Sequence, residues 1–343
     1  MNTKPLFRFA CIVLAAAMLF AFAGCTPDKP IETDKPTADP GVMNTDTEAP
    51  ASDAPASEEP TTKPTAEPPF RAEVPEGAEL NVHDYNAVRS FLEIRDENGN
   101  TNGSKLNEWY DPDDPATWWY SACSSVTGES EYFSIAGWIY EGIYEGMLCC
   151  FNLGIAPQSA GYPAYPLPNG TEIIGELNLS GCEMLDEVSI ANAGISSLDI
   201  SDCPELERLF ILDAVNLSSI TPEQLTEDKA KVFLGIVNCD IRYLRWYTMC
   251  HIPKESDPTE LFAVTVDLSA EGDGSVGIRN SPFIDDDPHI SIAAFPKQGH
   301  TFAGWFDKNT GELISTDAEF DLIEYAYANN HEDGLYEFIA RFN

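Results

Sequence analysis

Side chains with oxygen atoms alternate along one short segment, as they do in calcium-binding loops. They are Asp96, Asn98, Asn100 and Asn102. A calcium loop of the EF-hand type needs a bidentate Glu at its twelfth position, but Asn107 stands there, and the glycines miss the required sixth position. A turn rich in Asn and Gly explains the segment better. We therefore predict a hairpin or loop turn here, with no metal.

The histidines give no sign of a catalytic or metal centre. None of the five lies in the spacing of a known motif; they are His83, His251, His289, His300 and His331. The chain also lacks a GxSxG nucleophile elbow and a glycine-rich phosphate loop. Carboxylates are abundant, yet no stretch points to the pair that glycoside hydrolysis needs. We expect no enzymatic activity and no cofactor.

Five aromatic residues lie close together in sequence, next to acidic residues: Trp109, Tyr110, Trp118, Trp119 and Tyr120. Aromatic rings have flat apolar faces and polar rims, which suit both core packing and contact with sugars. Core or cap packing is the favoured interpretation. Trp118 and Trp119 are the candidate residues if the cluster instead binds a carbohydrate.

A predicted targeting segment begins the chain and precedes the elements that position these residues. The chain starts with a short basic stretch, an apolar run and small residues before Cys25. This order predicts a secretory signal peptide over residues 1–24, too short to favour a membrane span. The close of the run, FAGC, resembles the lipobox of bacterial lipoproteins. That resemblance implies lipid attachment to Cys25 and a location at the extracellular face of the bacterial cell membrane; the alternative is an ordinary signal peptide with an incidental cysteine.

Residues 25–70 form the next predicted segment, a disordered stalk behind the lipid anchor. Between residues 26 and 69 the chain has ten prolines, and ten acidic residues against three lysines. Such a segment cannot bury enough apolar surface to offset the entropy of ordering. The Thr and Ser content also allows a glycosylated stalk.

Charge and cysteine content limit the possible partners and chemistry. A net charge of −38 argues against binding to nucleic acid or to an anionic membrane surface. Nine cysteines are present, of which Cys11 belongs to the signal and Cys25 to the lipid site. The seven others are an odd number, so at least one thiol should be free. No CxxC pair occurs, and the sequence gives no support to a zinc or redox motif.

A repeat occupies the middle of the chain. The phrases LNLSGCEML, from Leu177, and LDISDCPEL, from Leu198, are near copies 21 residues apart. Paired apolar positions start at residues 177, 188, 198 and 209, which gives a rung every ten or eleven residues. Stacked rungs would bury a continuous core that no single rung could form. Periodicity does not decide whether every rung or every second rung is a strand.

The pattern Leu-x-Leu-x-x-Cys-x-x-Leu resembles the leucine-rich repeat family, particularly its short bacterial surface-protein type. In that family the residue at the position of Cys182 and Cys203 is Asn or Cys and turns inward, which implies a packing role. The resemblance covers about residues 171–245. We predict a solenoid over residues 171–258 and a mixed N-terminal cap over residues 71–170.

The residues between the apolar pairs point outward and would form the concave face of such a solenoid. We predict candidate ligand contacts at Asn178, Ser180, Ser189, Asp199, Ser201 and Phe210. Phe210 and its neighbour Leu212 are either exposed on this face or covered by the flanking domain, and both alternatives stay open.

Residues 259–343 alternate in polarity between Gly, Asn and Asp turns, which predicts a β-rich unit. The phrases GHTFAGW, from Gly299, and FIARF, from Phe338, resemble the internalin B-repeat family of bacterial surface proteins. That resemblance implies a small β-grasp-like module that serves as a spacer or adhesion unit. We interpret Gly304 and Trp305 as core residues.

The predicted fold is therefore β-rich with some α-helix: a short leucine-rich-repeat solenoid with a mixed N-terminal cap, followed by a small β-grasp-like β-repeat module. The predicted function is non-catalytic cell-surface recognition or adhesion, with an extracellular protein or glycan bound through the repeat region. One alternative is carbohydrate binding through Trp118 and Trp119. Another is a structural spacer without a specific ligand. Membrane contact is expected through the lipid anchor only, and no nucleic acid partner is expected.

Overall fold

The computed structural model describes residues 67–77, 79–155, 164–222, 224–225, 233–251, 261–281, 289–329 and 334–343. The predicted signal peptide, Cys25 and nearly all of the predicted stalk lie outside these ranges. The fold is β-rich with a small helical content, which confirms the coarse prediction from the sequence. None of the helices in the described ranges has the length and apolar character needed to cross a membrane.

The described part of the chain contains three α-helices: α1 Val82–Leu92, α2 Asn102–Leu106 and α3 Leu322–Ala328. The side chain of Asn81 caps α1, because its oxygen accepts hydrogen bonds from the backbone N–H groups of the first turn. The buried face of α1 includes Val88, Phe91 and Leu92. This face docks the helix on the core.

The first half of the fold contains a two-stranded hairpin, a three-stranded sheet and the first four strands of an eight-stranded sheet. Its strands are β1 Trp119–Cys123, β2 Ser130–Ser134, β3 Ala136–Trp138, β4 Leu148–Leu153, β5 Ile174–Asn178, β6 Glu187–Ala191, β7 Gly194–Asp199, β8 Arg208–Leu212 and β9 Ser219–Thr221.

The second half completes the eight-stranded sheet and adds a six-stranded one. Its strands are β10 Gln224–Leu225, β11 Phe233–Val237, β12 Tyr243–His251, β13 Leu261–Glu271, β14 Gly274–Ser281, β15 His289–Pro296, β16 Phe302–Asp307, β17 Leu313–Ser315, β18 Glu319–Asp321 and β19 Leu335–Phe342.

The repeat places successive strands in two different parallel sheets. Leu177 pairs with Leu198, 21 positions later, in the three-stranded sheet β5-β7-β9. Val188 pairs with Leu209 in the same way in the other sheet, where β4, β6, β8 and β11 are parallel neighbours. Every rung is thus a strand, and alternate rungs lie in different sheets. The apolar side chains of both sheets meet in one core.

Left-handed turns follow the strands of the second of these sheets. Asn192 after β6, Asp213 after β8 and Asn238 after β11 all have a positive φ, between 53° and 59°. Asn and Asp tolerate this conformation better than other residues with a side chain. The turns stack, because the side chain of Asn238 donates to that of Asp213 over 2.7 Å. The Asn and Asp residues after the strands therefore turn the chain from one sheet toward the other.

Antiparallel strands close both ends of the parallel series. The eight-stranded sheet has the order β18-β15-β14-β11-β8-β6-β4-β3, in which β3 is antiparallel to β4 and β14 is antiparallel to β11. This sheet contains strands from all three segments predicted for residues 71–170, 171–258 and 259–343.

The C-terminal strands form a six-stranded sheet in the order β10-β12-β13-β19-β16-β17. The neighbours β13 and β19 are parallel, and α3 lies between β18 and β19 along the chain. Trp305 on β16 is fully buried, and its indole N–H donates to the carbonyl of Ala318. The prediction that Trp305 is a core residue is confirmed.

Candidate functional site

The outer surface of the three-stranded sheet carries polar side chains in register. Asn178 pairs with Asp199, and Asp199 pairs with Thr221. Leu177 and Leu198, one position away, are buried in the core. Because side chains alternate along a strand, the polar residues point away from the core. We call this surface the polar face and define it as Glu176, Asn178, Ser197, Asp199, Ser219 and Thr221.

The turns beyond β5 and β7 fix the orientation of two side chains on the polar face. Asn178 Oδ1 accepts hydrogen bonds from the N–H and the hydroxyl of Ser180, over 2.9 and 2.7 Å. Asp199 Oδ1 accepts one from the N–H of Ser201 over 2.9 Å. These are Asx turns, which use one side-chain oxygen and leave the rest of the amide or carboxylate for other partners. The repeat thus presents an amide and a carboxylate side by side in a fixed geometry.

The predicted ligand contacts do not form one surface. Asn178 and Asp199 lie together on the polar face, and Ser180 and Ser201 lie in the turns that follow these two strands. Ser189 and Phe210 belong to the eight-stranded sheet on the other side of the core, and both are buried. The prediction of a single concave face was wrong because alternate rungs enter different sheets.

Phe210 is not exposed, and the contacts that bury it come from the repeat region itself. Its side chain is only 5% exposed and packs against Gly235 on β11, and with Ala191 and Leu212 it forms a small second cluster. The hydroxyl of Ser189 donates to the carbonyl of Gly154 over 3.3 Å.

Trp118 and Trp119 are also buried, at 1% and 2% exposure. The indole N–H of Trp118 donates to the carbonyl of Asp111, and its ring lies 5.1 Å from that of Tyr85. The rings of Phe70, Trp109 and Tyr132 surround Trp119. Core packing of the two tryptophans is confirmed. Stacking of a sugar on Trp118 or Trp119 is wrong as a site prediction, because protein side chains already cover the rings.

The alternating segment after α1 is a hairpin turn, as predicted. Asp96 Oδ1 accepts hydrogen bonds from the backbone N–H groups of Asn98 and Asn100, and Lys105 Nζ lies 3.1 Å from Oδ2. Partial desolvation raises the pKa of Asp96, but the hydrogen bonds from Lys105 and Asn100 outweigh it and lower the pKa to about 2. The carboxylate that a calcium ion would need is already paired with the ammonium group of Lys105.

A cluster that the sequence did not reveal lies beside the polar face. His83 and Asp84 on α1 meet Cys182 from the turn after β5, and their ligand-type atoms lie within 4.8 Å of one another. Asp84 is 1% exposed, Cys182 is fully buried, and His83 is exposed. His83 Nε2 lies 2.7 Å from the carbonyl oxygen of Ser180. No local motif predicts this group, because the docking of α1 alone brings the two segments together.

Burial controls the titration of this cluster. Desolvation raises the pKa of Asp84, although hydrogen bonds from the Leu148 N–H and the Cys182 thiol act in the opposite direction. Desolvation also raises the pKa of Cys182, and the neighbouring Asp84 carboxylate adds to the rise. Without a bound cation, Cys182 is therefore a protonated thiol and a poor nucleophile.

Within the described ranges, the second deeply buried carboxylate belongs to the C-terminal module and is paired. Asp267 is 2% exposed, and its oxygens lie 3.2 Å from Lys308 Nζ and 3.1 Å from the Tyr243 hydroxyl, which donates to it. Arg245 lies 3.9 Å away. A buried charge with such partners is a structural element of the sheet.

Comparison with known proteins finds no matching family model, no similar curated protein and no similar solved structure. Fold and function therefore rest on the residues and their arrangement.

Proposed function

We propose that this chain is a non-catalytic recognition or adhesion lipoprotein of a bacterial cell surface, with a short leucine-rich-repeat solenoid as its binding module. The repeat of 21 residues, with one parallel strand per rung, supports this proposal. Further support comes from the inward cysteines. The Cys203 thiol donates to the carbonyl of Leu179 over 3.1 Å, and burial raises the pKa of Cys239 to about 12. Both act as packing residues, which is the role that the family resemblance implies.

The C-terminal module is proposed to be a β-grasp-like unit of the internalin B-repeat type. The parallel contact between its first strand, β13, and its last strand, β19, supports this proposal. The helix α3 that precedes β19 and the buried Trp305 fit the same arrangement. In this proposal the module is a spacer or adhesion unit, and the repeat region contacts the ligand.

The polar face is the observation that carries the proposed binding role. It repeats one geometry along successive units, and a partner can read such a surface through several equivalent hydrogen bonds. Glu176 and Asp199 make it acidic, in keeping with a chain of net charge −38. Charge complementarity therefore favours a partner with a basic surface.

Exposed apolar residues near the start of α1 favour a protein partner over a glycan. The side chain of Val82 is 74% exposed. Val82 precedes His83, whose ring contacts Ser180. The loop between β3 and β4 contacts the residue before α1, because the Asn81 N–H donates to the carbonyl of Gly146, and this loop exposes Ile143 at 90%. Apolar groups within a polar surround are typical of protein interfaces.

Binding should depend on the charge at Asp199. An Asp199→Asn variant keeps the oxygen that accepts from Ser201 but loses the charge, so we expect association to be about three- to tenfold slower at low salt. The measurement is binding kinetics of the chain from residue 26 onward to arrays of extracellular proteins and of glycans. Asp317→Asn, on an exposed turn of the C-terminal module, makes the same charge change and should have no effect.

The outcomes separate the proposed functions. Protein hits that weaken in Asp199→Asn and in Asn178→Ala support recognition by the polar face. Hits on glycans alone would show that the partner is a carbohydrate and not a protein. A folded chain that binds nothing on either array would favour a spacer without a ligand.

Membrane attachment should depend on Cys25. Removal of the sulfur that carries the proposed lipid eliminates the anchor, since acyl chains contribute about 0.8 kcal/mol per buried CH₂ to membrane binding. We expect Cys25→Ala to move the protein from the membrane fraction to the soluble fraction and to abolish labelling with a palmitate analogue. Cys11→Ala, within the proposed signal peptide, is the matched control and should stay in the membrane fraction. Retention of Cys25→Ala would contradict lipidation at this residue.

A further inference from the structure

We propose that His83, Asp84 and Cys182 form a binding site for zinc or a similar divalent transition metal, which fastens α1 to the first turn of the repeat. The three side chains offer one nitrogen, one oxygen and one sulfur within 4.8 Å of one another. Zinc binds this combination of ligand types, and three protein ligands plus a water complete its tetrahedral coordination. The site is independent of the ligand proposed for the polar face.

The geometry needs only a small contraction to hold the ion. Bond lengths of about 2.0 Å to nitrogen or oxygen and 2.3 Å to sulfur place tetrahedral ligands roughly 3.3 to 3.8 Å apart. The ligand atoms of the cluster lie within 4.8 Å, so at most about 1.5 Å must be closed. Asp84 and Cys182 are held in the core, whereas the exposed side chain of His83 can rotate to close the site.

The hydrogen bonds around the cluster also fit a metal site. His83 Nε2 lies 2.7 Å from the carbonyl of Ser180, and a ligating histidine usually donates its second N–H to a carbonyl or carboxylate in this way. The N–H of Leu148 donates to Asp84 Oδ2 over 2.9 Å and orients the carboxylate. Its other oxygen remains available to the ion.

Among the described residues, the donors that reach the buried carboxylate of Asp84 are uncharged, and a metal would supply a positive charge. These donors are the backbone N–H of Leu148 and the thiol of Cys182. Two charged neighbours act on Asp84 in opposite directions, because His83 lowers its pKa and Glu183 raises it. A buried carboxylate is costly unless it is paired or coordinates a metal. When the ion binds, the Cys182 thiol loses its proton to solvent and ligates as a thiolate.

The site joins three parts of the fold. Asp84 lies on α1, Leu148 begins β4, and Cys182 follows β5. The bound ion would hold the N-terminal helix against the turn after β5, and its binding free energy would add to the stability of the fold. The exposed edge of His83 leaves a path for the ion from solvent.

Cobalt binding to the purified protein tests the site. When Co²⁺ is added to the metal-free protein, one equivalent per chain should bind and produce a thiolate-to-cobalt absorption band. Zn²⁺ should displace the Co²⁺ and remove the band. Cys182→Ser should abolish the band. Cys203→Ser is the matched control, because Cys203 has the same position one repeat unit later and should leave the band unchanged.

An exposed ligand keeps the test valid if the buried variant fails to fold. His83→Ala changes a solvent-facing side chain, and we expect it to weaken Co²⁺ binding by about tenfold or more. Zn²⁺ should also raise the thermal midpoint of the wild type but not that of Asp84→Asn. No band in the wild type, a band that survives Cys182→Ser, or full affinity in His83→Ala would each overturn the proposal.

Discussion

Replacement of Gly277 by alanine is expected to lower the free energy of unfolding by about 3 kcal/mol, as for severe overpacking of a core. An alanine Cβ at this position would overlap the backbone carbonyl oxygen of Ile236 on β11 and would lie 2.9 Å from a ring carbon of Phe295. A backbone oxygen cannot move aside without parting β11 from β14. These two strands join the repeat to the C-terminal module, and urea unfolding followed by intrinsic fluorescence measures the loss.

Gly235→Ala is the matched control for this prediction. Gly235 lies on β11 in the same sheet, but the nearest atom to its Cβ would be a ring carbon of Phe210 at 3.2 Å. A side chain can yield by a few tenths of an ångström, so we expect a loss of about 1 kcal/mol or less. Equal losses of unfolding free energy for the two variants would show that the close approach of Gly277 to the Ile236 carbonyl is not what destabilises Gly277→Ala.

Asn102→Ala is expected to cost about 3 kcal/mol, because it removes three hydrogen bonds to buried and partly buried backbone groups. The Asn102 side chain is fully buried. Its amide donates to the carbonyls of Phe91 and Ile174 over 3.0 and 2.9 Å, and its oxygen accepts from the Ile174 N–H over 3.1 Å. Asn102 therefore holds the end of α1 on the start of β5. The measurement is again chemical denaturation.

Asn98→Ala provides the comparison within the same turn. Asn98 is exposed, and a surface change of this kind should stay within about 0.5 kcal/mol. Asn102→Asp keeps the acceptor oxygen and loses both donated hydrogen bonds, so its loss of unfolding free energy should lie between those of Asn98→Ala and Asn102→Ala. The loss should be greater if the new carboxyl group stays ionised. A cost below about 1 kcal/mol for Asn102→Ala would mean that solvent replaces the lost hydrogen bonds.

The sequence predicted the rungs of the repeat, but it left open which rungs are strands and did not predict their distribution between sheets. The apolar pair that starts at Leu177 and the pair that starts at Val188 have the same period and the same inward orientation. They therefore look like successive strands of one sheet. The separating information lies in the turns, where residues such as Asn192 and Asp213 adopt a positive φ that redirects the chain. Asn and Asp serve many other turn types, so their presence alone did not reveal this geometry.

The site predictions failed or were incomplete where contacts come from distant parts of the chain. Trp119 is covered by rings at residues 70, 109 and 132, and no local pattern encodes that burial. Cys182 was correctly expected to turn inward. Its contact with Asp84 depends on how α1 docks, which the spacing along the chain does not contain. Asn178 and Asp199 were predictable together because one repeat places them in register.

The antiparallel strands at the two ends of the parallel series have an evolutionary consequence. β3 and β14 each occupy one free edge, so no further parallel strand can be added outside them. Growth is possible only between them. Duplication of one unit of 21 residues there would add one strand to each parallel sheet and would lengthen the polar face by one register position. Relatives of different length can thus arise by gene duplication without any change to the two ends.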